Sequence, residues 1–369
     1  MRTFTCLCNE TLFFDNTRCV SCEREAGFCP ACQQLVALVE VEEGQYRCGN
    51  PACCATLVKC DNYRIERVCN RCIVLPNAGG SLCDCCRFNA VIPNLNVGDN
   101  RSKWRRIESA KRRLFYHLDL LGLPLGDAKD GFDPPLSFDF KEDTGPMWSF
   151  DDNGNSEMLN AHEVVMTGHF KGKVTINLRE ADPVERERLR VQFGELNRSL
   201  IGHFRHEIGH YYWELLVKGQ REDGFKAVFG DHNTPTYAES MQAYYQRGPH
   251  ANWSNYFASA YASMHPWEDF AETFTAYLEM VAALDTAQHM GIDRMNELDA
   301  VPSDDLDAMC RVYARVGIAF NELNRTMGLK DVLTRPLTRP VIEKMAFVHK
   351  LIAEVRGPAS PAPTSCPTS

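Results

Sequence analysis

No uninterrupted apolar run of about 18 residues occurs in this 369-residue chain, so no segment is a candidate for a bilayer-spanning helix. The opening MRTFTCLCNE lacks the apolar core of a secretory leader. Positive charge is also short: 40 Lys and Arg against 49 Asp and Glu leave a net charge of −9, which excludes a histone-like attraction for nucleic acid but not a local basic patch. After Cys86 only Cys310 and Cys366 remain. These absences predict a cytoplasmic chain with no membrane partner. What is left, 44% hydrophobic and 24% charged residues, is ordinary for a globular protein, and the length fits one small module plus one larger unit.

Fifteen of the 17 cysteines crowd into the first 86 residues. In a reducing compartment, short-spaced cysteine pairs point to metal ligation rather than disulfides. Cys29-Pro-Ala-Cys32 followed by Cys48 and Cys53 reads as a zinc ribbon. Cys6, Cys8, Cys19 and Cys22 form a second four-sulfur set, with Cys6-x-Cys8 one residue shorter than a usual knuckle. A third set takes Cys69, Cys83 and Cys86 with either Cys72 or Cys60. Spacing alone favours Cys72, since Cys69-x-x-Cys72 with Cys83-x-x-Cys86 is the standard pair of knuckles. Cys54 and Cys85 read as spares. Sites closed by four sulfurs leave no position for chemistry, so about three structural zincs are expected.

Residues 1–95 are therefore expected to be a zinc-ribbon module that needs metal to fold, and 357–369 a disordered tail without apolar payload. Between them, 101–356 reads as a mainly helical domain with a small sheet, giving an α+β chain overall. Trp104, Ile107, Leu114, Leu118 and Leu121 mark a helix over 101–121 with basic residues between them. Strands are predicted at 136–140, 164–166 and 174–178, and helices at about 183–217, 221–229, 234–247, 253–263, 266–289, 304–327 and 338–355. The basic helix reads as a solvated face bridging the two parts; a protein or nucleic-acid partner is the other reading for it and for the ribbons.

His206-Glu207-Ile-Gly-His210 is an H-E-x-x-H string in a helical pattern. Residues at i and i+4 share a face, so both imidazoles can meet one zinc, with Glu207 beside them as general base. A hydrolytic zinc needs a third ligand and an open position. Glu268, which follows Pro266 at a helix start, is the expected donor. Glu272, on the same face, is expected to hold a ligand histidine from behind, and the reverse assignment is possible. His265 is the other ligand candidate, though a histidine at a helix start more often caps. Tyr261 is the candidate oxyanion donor, and His203, one turn before His206, a possible second donor or packed neighbour. The strand over 172–178 is expected to pair with a peptide substrate. Non-peptide amides would use the same machinery.

Taken together, Phe13-Phe-Asp-Asn-Thr-Arg-Cys19, Leu82-Cys83-Asp-Cys-Cys86-Arg-Phe-Asn-Ala-Val-Ile-Pro93, the Ile201–Trp213 run and Ser263-Met-His-Pro-Trp-Glu-Asp-Phe-Ala-Glu272 resemble the bacterial zinc-binding metallopeptidases that carry an N-terminal zinc-ribbon domain. The resemblance implies a gluzincin-type zinc peptidase acting on a peptide or protein. It aligns Cys60 and Cys69 with the family's own pairs, favouring Cys60 over Cys72. The family usually opens with C-x-x-C where this chain has Cys6-x-Cys8. Tyr261 with Glu268-Asp-Phe-Ala-Glu272 is also similar to the lethal-factor-like zinc peptidases, which implies Glu268 as ligand and Tyr261 as a catalytic aid. The alternative is a binding or scaffold protein whose peptidase fold is unproductive.

Overall fold

The computed structural model describes residues 1–76, 80–143, 147–150, 156–160, 164–192, 199–292, 297–333 and 335–356. The tail expected at 357–369 lies outside them.

The cysteine-rich part is built on short strands: β1 (Phe4–Thr5), β2 (Thr11–Leu12), β3 (Ala26–Cys29), β4 (Gln34–Glu42), β5 (Gln45–Cys48), β6 (Thr56–Lys59) and β7 (Cys72–Val74), with a single turn, α1 (Asp61–Arg64), between the last two. β1 and β2 pair with each other, and β3 to β7 form an antiparallel sheet in sequence order. Side chains alternate across a strand. On β4, Leu35 and Ala37 face a small core with Phe4, Leu12, Phe14 and Phe28, whereas Val36 and Leu38 face the main core.

That main core does not stop where the cysteines do. It runs from Val36, Leu57 and Cys86 through Trp104, Ile107 and Leu114 to Phe204, Phe270 and Ile352. β8 (Asn89–Val91) leaves the cysteine-rich part and joins the next sheet, and α2 (Asn100–Leu121) packs against both parts. Its cations divide between buried Lys111 and Arg112 and exposed Arg101, Arg105 and Arg106. Arg101 pairs with Glu66, Arg106 donates to the Ala181 carbonyl, Arg112 to the Val68 carbonyl at 2.7 Å, and Arg113 pairs with Asp15. Lys111, fully buried, lies 3.1 Å from Glu108. Arg101, Arg112 and Arg113 join the two parts, which agrees with the bridging half of the expectation, while Arg101, Arg105 and Arg106 remain exposed, so the face is solvated only in part.

The second sheet has the order β12–β13–β9–β8, with β9 (Ser137–Lys141), β12 (Gly168–Phe170) and β13 (Lys173–Asn177); β10 (Met147–Phe150) and β11 (Ser156–Asn160) pair separately. β13 is interior, antiparallel to β12 and parallel to β9, so the strand expected to receive substrate is not an edge. The edge on that side is β12. The strand expected at 164–166 is absent because side chains hold that backbone: Asp143 Oδ1 accepts from Val165 N at 2.8 Å and Asn177 Nδ2 donates to Val165 O at 2.9 Å.

Helices follow: α3 (Pro183–Gln192), α4 (Leu200–Tyr212), α5 (Glu222–Phe229), α6 (Tyr237–Arg247), α7 (Pro266–Met290), α8 (Leu306–Thr326) and α9 (Arg339–Val355). The single helix expected over 183–217 is replaced by α3 and α4, because Ser199 accepts from Gly202 N at 3.1 Å and caps a new start. α4 then widens into a π turn at Trp213–Val217. Over 253–263 only two 3₁₀ turns form. Ser259 and Ser263 bond nearby backbone and compete with the helical ladder. Among the described residues, no helix is long and apolar enough to cross a membrane.

Candidate active site

α4 and α7 cross with almost no space between them at Gly209. A Cβ built there would lie 3.0 Å from Ala271 Cα, tighter than ordinary packing, so any larger residue would have to push the two backbones apart by a few tenths of an ångström. The crossing brings the second and third turns of α4 against the first two turns of α7. His265 caps the first turn of α7 by accepting from Trp267 N at 3.1 Å, and its Nε2 lies 3.1 Å from the His232 carbonyl; it serves the helix start and is not among the converging donors.

Three donor atoms converge at the crossing. His206 Nε2 and His210 Nε2 are 3.1 Å apart, and Glu268 Oε2 lies 3.0 Å from the first and 3.3 Å from the second. Ligand bonds of about 2.0–2.1 Å in tetrahedral geometry separate neighbouring ligand atoms by roughly 3.3 Å. The fit extends to protonation. His206 Nδ1 lies 2.8 Å from Glu272 Oε1, and a carboxylate only accepts, so the proton sits on Nδ1 and the Nε2 lone pair faces inward. Glu268 Oε1 accepts from the Tyr237 hydroxyl at 2.8 Å, while Oε2 has no hydrogen-bond partner. Imidazole, imidazole and carboxylate is a zinc donor set.

Charge points the same way. Burial opposes ionisation of Glu268 and Glu272, yet His210 and His206 hold Glu268, and Arg335 and His206 hold Glu272, well below the usual carboxylate range. Burial also opposes protonation of His206, and the two carboxylates overcome it. The pull that Glu268 and Glu272 exert on a proton at His206 is one they would equally exert on a metal cation facing its Nε2. Glu207 behaves differently: burial pushes it up to about 7, with His206 opposing.

Residues 100–351 match the family described as "Putative zinc-binding metallo-peptidase", and residues 3–97 match a zinc-ribbon domain. The chain belongs to this metallo-peptidase family. An uncharacterized protein of Mycobacterium tuberculosis and one of Mycobacterium bovis are each 32% identical to it over 368 residues, covering 98% of both chains. No solved structure matches.

Around the three donors stand Trp267, His169, Arg335 and Tyr237, to which the sequence gave no role, beside Tyr261 and His203, to which it did. Trp267 stacks on the His210 ring at 3.6 Å, and His169 of β12 lies 6.2 Å from the same ring. Arg335 donates to Glu272 at 3.0 Å and to Glu279 at 2.9 Å, so the partner of His206 is itself held. The Tyr261 ring is 6.0 Å from His206; burial, with Glu268 adding, pushes its pKa well up and keeps its hydroxyl protonated. His203, one turn before His206, has its Nδ1 3.4 Å from Glu180 Oε2 and so turns to the 178–181 turn instead of the donors. Tyr237 fixes which oxygen of Glu268 faces the histidines. Tyr237→Phe is expected to weaken zinc binding by about 10-fold, read by chelator competition, within the range for loss of a partner behind a ligand.

The cysteines gather into three quartets: Cys6, Cys8, Cys19 and Cys22; Cys29, Cys32, Cys48 and Cys53; Cys60, Cys69, Cys83 and Cys86. Sulfur pairs lie 3.6 Å apart in the first and 3.8 Å in the other two, and zinc–sulfur bonds of about 2.3 Å in a tetrahedron give roughly 3.8 Å. Cys72 stands outside, which corrects the spacing argument. It begins β7, and its sulfur lies where a Cβ on Gly27 would come within 2.6 Å. Cys60 instead precedes α1, and its sulfur accepts from Cys83 N at 3.4 Å.

Proposed function

We propose that this chain hydrolyses peptide bonds, with one zinc on His206, His210 and Glu268, three structural zincs on the cysteine quartets, and Glu207 as the proton-transfer group. The observation that carries the reading is the convergence of two imidazole nitrogens and one carboxylate oxygen within 3.0–3.3 Å, with Glu207 next to His206 in the chain. When bound, zinc would supply Lewis acidity, which brings the pKa of a coordinated water toward ~7. Glu207 accepts the proton of the attacking water and returns it to the leaving nitrogen. A carboxyl near about 7 is well matched to both transfers. Tyr261 donates to the carbonyl oxygen as negative charge grows there. The exposed edge of β12 offers backbone groups to an extended substrate.

The binding-protein reading gains little from α2, where Arg101, Lys103, Arg106, Lys111, Arg112 and Arg113 bond within the chain and Arg105 is left as an exposed cation. Metal analysis tests the peptidase reading. Purified protein is expected to hold about four zincs per chain, three resistant to a mild chelator and one exchangeable, with cleavage of a peptide library lost and regained with the exchangeable ion. Cleavage indifferent to that ion would refute the reading.

A further inference from the structure

We infer that α6 is the apolar wall of the substrate channel, and that the site takes extended peptides with large apolar or aromatic side chains beside the scissile bond. The inference rests on the peptidase reading above. Tyr237, Met241 and Tyr245 follow one another at i, i+4 and i+8 and so form one stripe along the helix. Such a stripe normally faces a core. Here the three residues are 36%, 38% and 68% exposed, and only Ser240 of this helix is buried.

The stripe is continuous with the donors. Tyr237, at its first position, holds Glu268 Oε1 at 2.8 Å, and Tyr244 packs edge-on to Tyr261 at 5.8 Å, which in turn lies beside His206. No charge interrupts it. Glu239 is turned to Thr236 in the box that caps the helix, and Arg247 is its last residue. An exposed apolar stripe without charge is complementary to an uncharged apolar ligand.

The spacing selects an extended chain. Four residues of helix advance about 6.0 Å, and two residues of strand about 6.6–6.8 Å, so alternate side chains of a strand-like peptide meet successive stripe residues. Aromatic rings at Tyr237 and Tyr245 flanking the flexible Met241 suit bulky apolar groups of differing shape.

The test uses full-length, zinc-loaded protein carrying Glu207→Gln, so that binding is read without turnover. Two fluorescent peptides of equal length are compared, one with Leu and Phe at alternate positions and one with Ser and Glu there. The apolar probe is expected to bind at least 10-fold tighter. Met241→Glu with Tyr245→Glu should erase the preference while zinc content and helical signal stay unchanged, since both positions are exposed. Equal affinity, or no binding of either probe, overturns the inference. Failure of zinc-replete wild-type protein to cleave the bound apolar probe would instead count against the peptidase reading, which keeps the two failures distinct.

Discussion

Glu207→Gln is expected to leave zinc content unchanged and to lower peptide cleavage by about 10²–10⁴-fold, the usual worth of a positioned general acid–base group. The substitution keeps size and shape in a buried site. It removes the one property the reaction needs, a lone pair basic enough to take a proton near neutrality. Structural damage should be small, because burial already drives Glu207 toward its neutral form, about 7, so a neutral amide resembles what the site tolerates. The sign of the pH effect follows. As pH falls through the Glu207 value, the carboxyl becomes protonated and cannot accept, so wild-type cleavage should decline on the acid side, at or below about 7, since a bound cation draws the value lower. Zinc by elemental mass spectrometry and peptide loss by proteomic mass spectrometry would check both parts. Cleavage surviving in the variant would exclude Glu207 as the base.

The sequence made legible the pairs within one element and, through donor chemistry and motif, the meeting of Glu268 and Glu272 with the α4 histidines; the supports reached from farther elements were not legible. His206 and His210 needed only the helical period, and Glu268 with Glu272 needed the same period plus a proline that opens α7. Tyr237 is held to Glu268 across 31 positions, and Arg335 to Glu272 across 63. No local pattern joins either pair; the capping box before Tyr237 announces a helix start, not a ligand partner. Cys72 shows the opposite failure. Its x-x spacing to Cys69 is correct for a knuckle, but β7 begins at that residue and directs the sulfur against Gly27, so the strand outweighs the spacing. The edge strand was misplaced for a similar reason, because the short β12, only three residues long, pairs over β13 and covers it.

Cys83→Ser is expected to unfold the helical part as well as the cysteine-rich part, whereas Cys8→Ser should cost one zinc and little else. Cys8 is exposed, and its quartet borders the small core of Phe4, Leu12 and Phe14. Cys83 belongs to the quartet whose four cysteines are all buried and belong to the main core. Four thiolates on a divalent ion leave two negative charges, and buried cations stand ready for them. Arg71 reaches Asp84 at 2.5 Å and lies over the Phe28 ring, Arg112 holds the Val68 carbonyl, and Lys111 is buried beside Glu108. Without the metal the thiols would be neutral, and these cations would lose part of their compensation in a region closed to water, at several kcal/mol per ion. Structural zinc contributes apparent free energies of about 10–16 kcal/mol, as large as the roughly 5–15 kcal/mol by which whole domains are stable. Far-ultraviolet circular dichroism and exchangeable-zinc binding would separate the two variants. If Cys83→Ser retained both the helical signal and the exchangeable ion, the third quartet would be a detachable ornament, and the continuous core from Val36 to Ile352 would not bind the two parts into one folding unit.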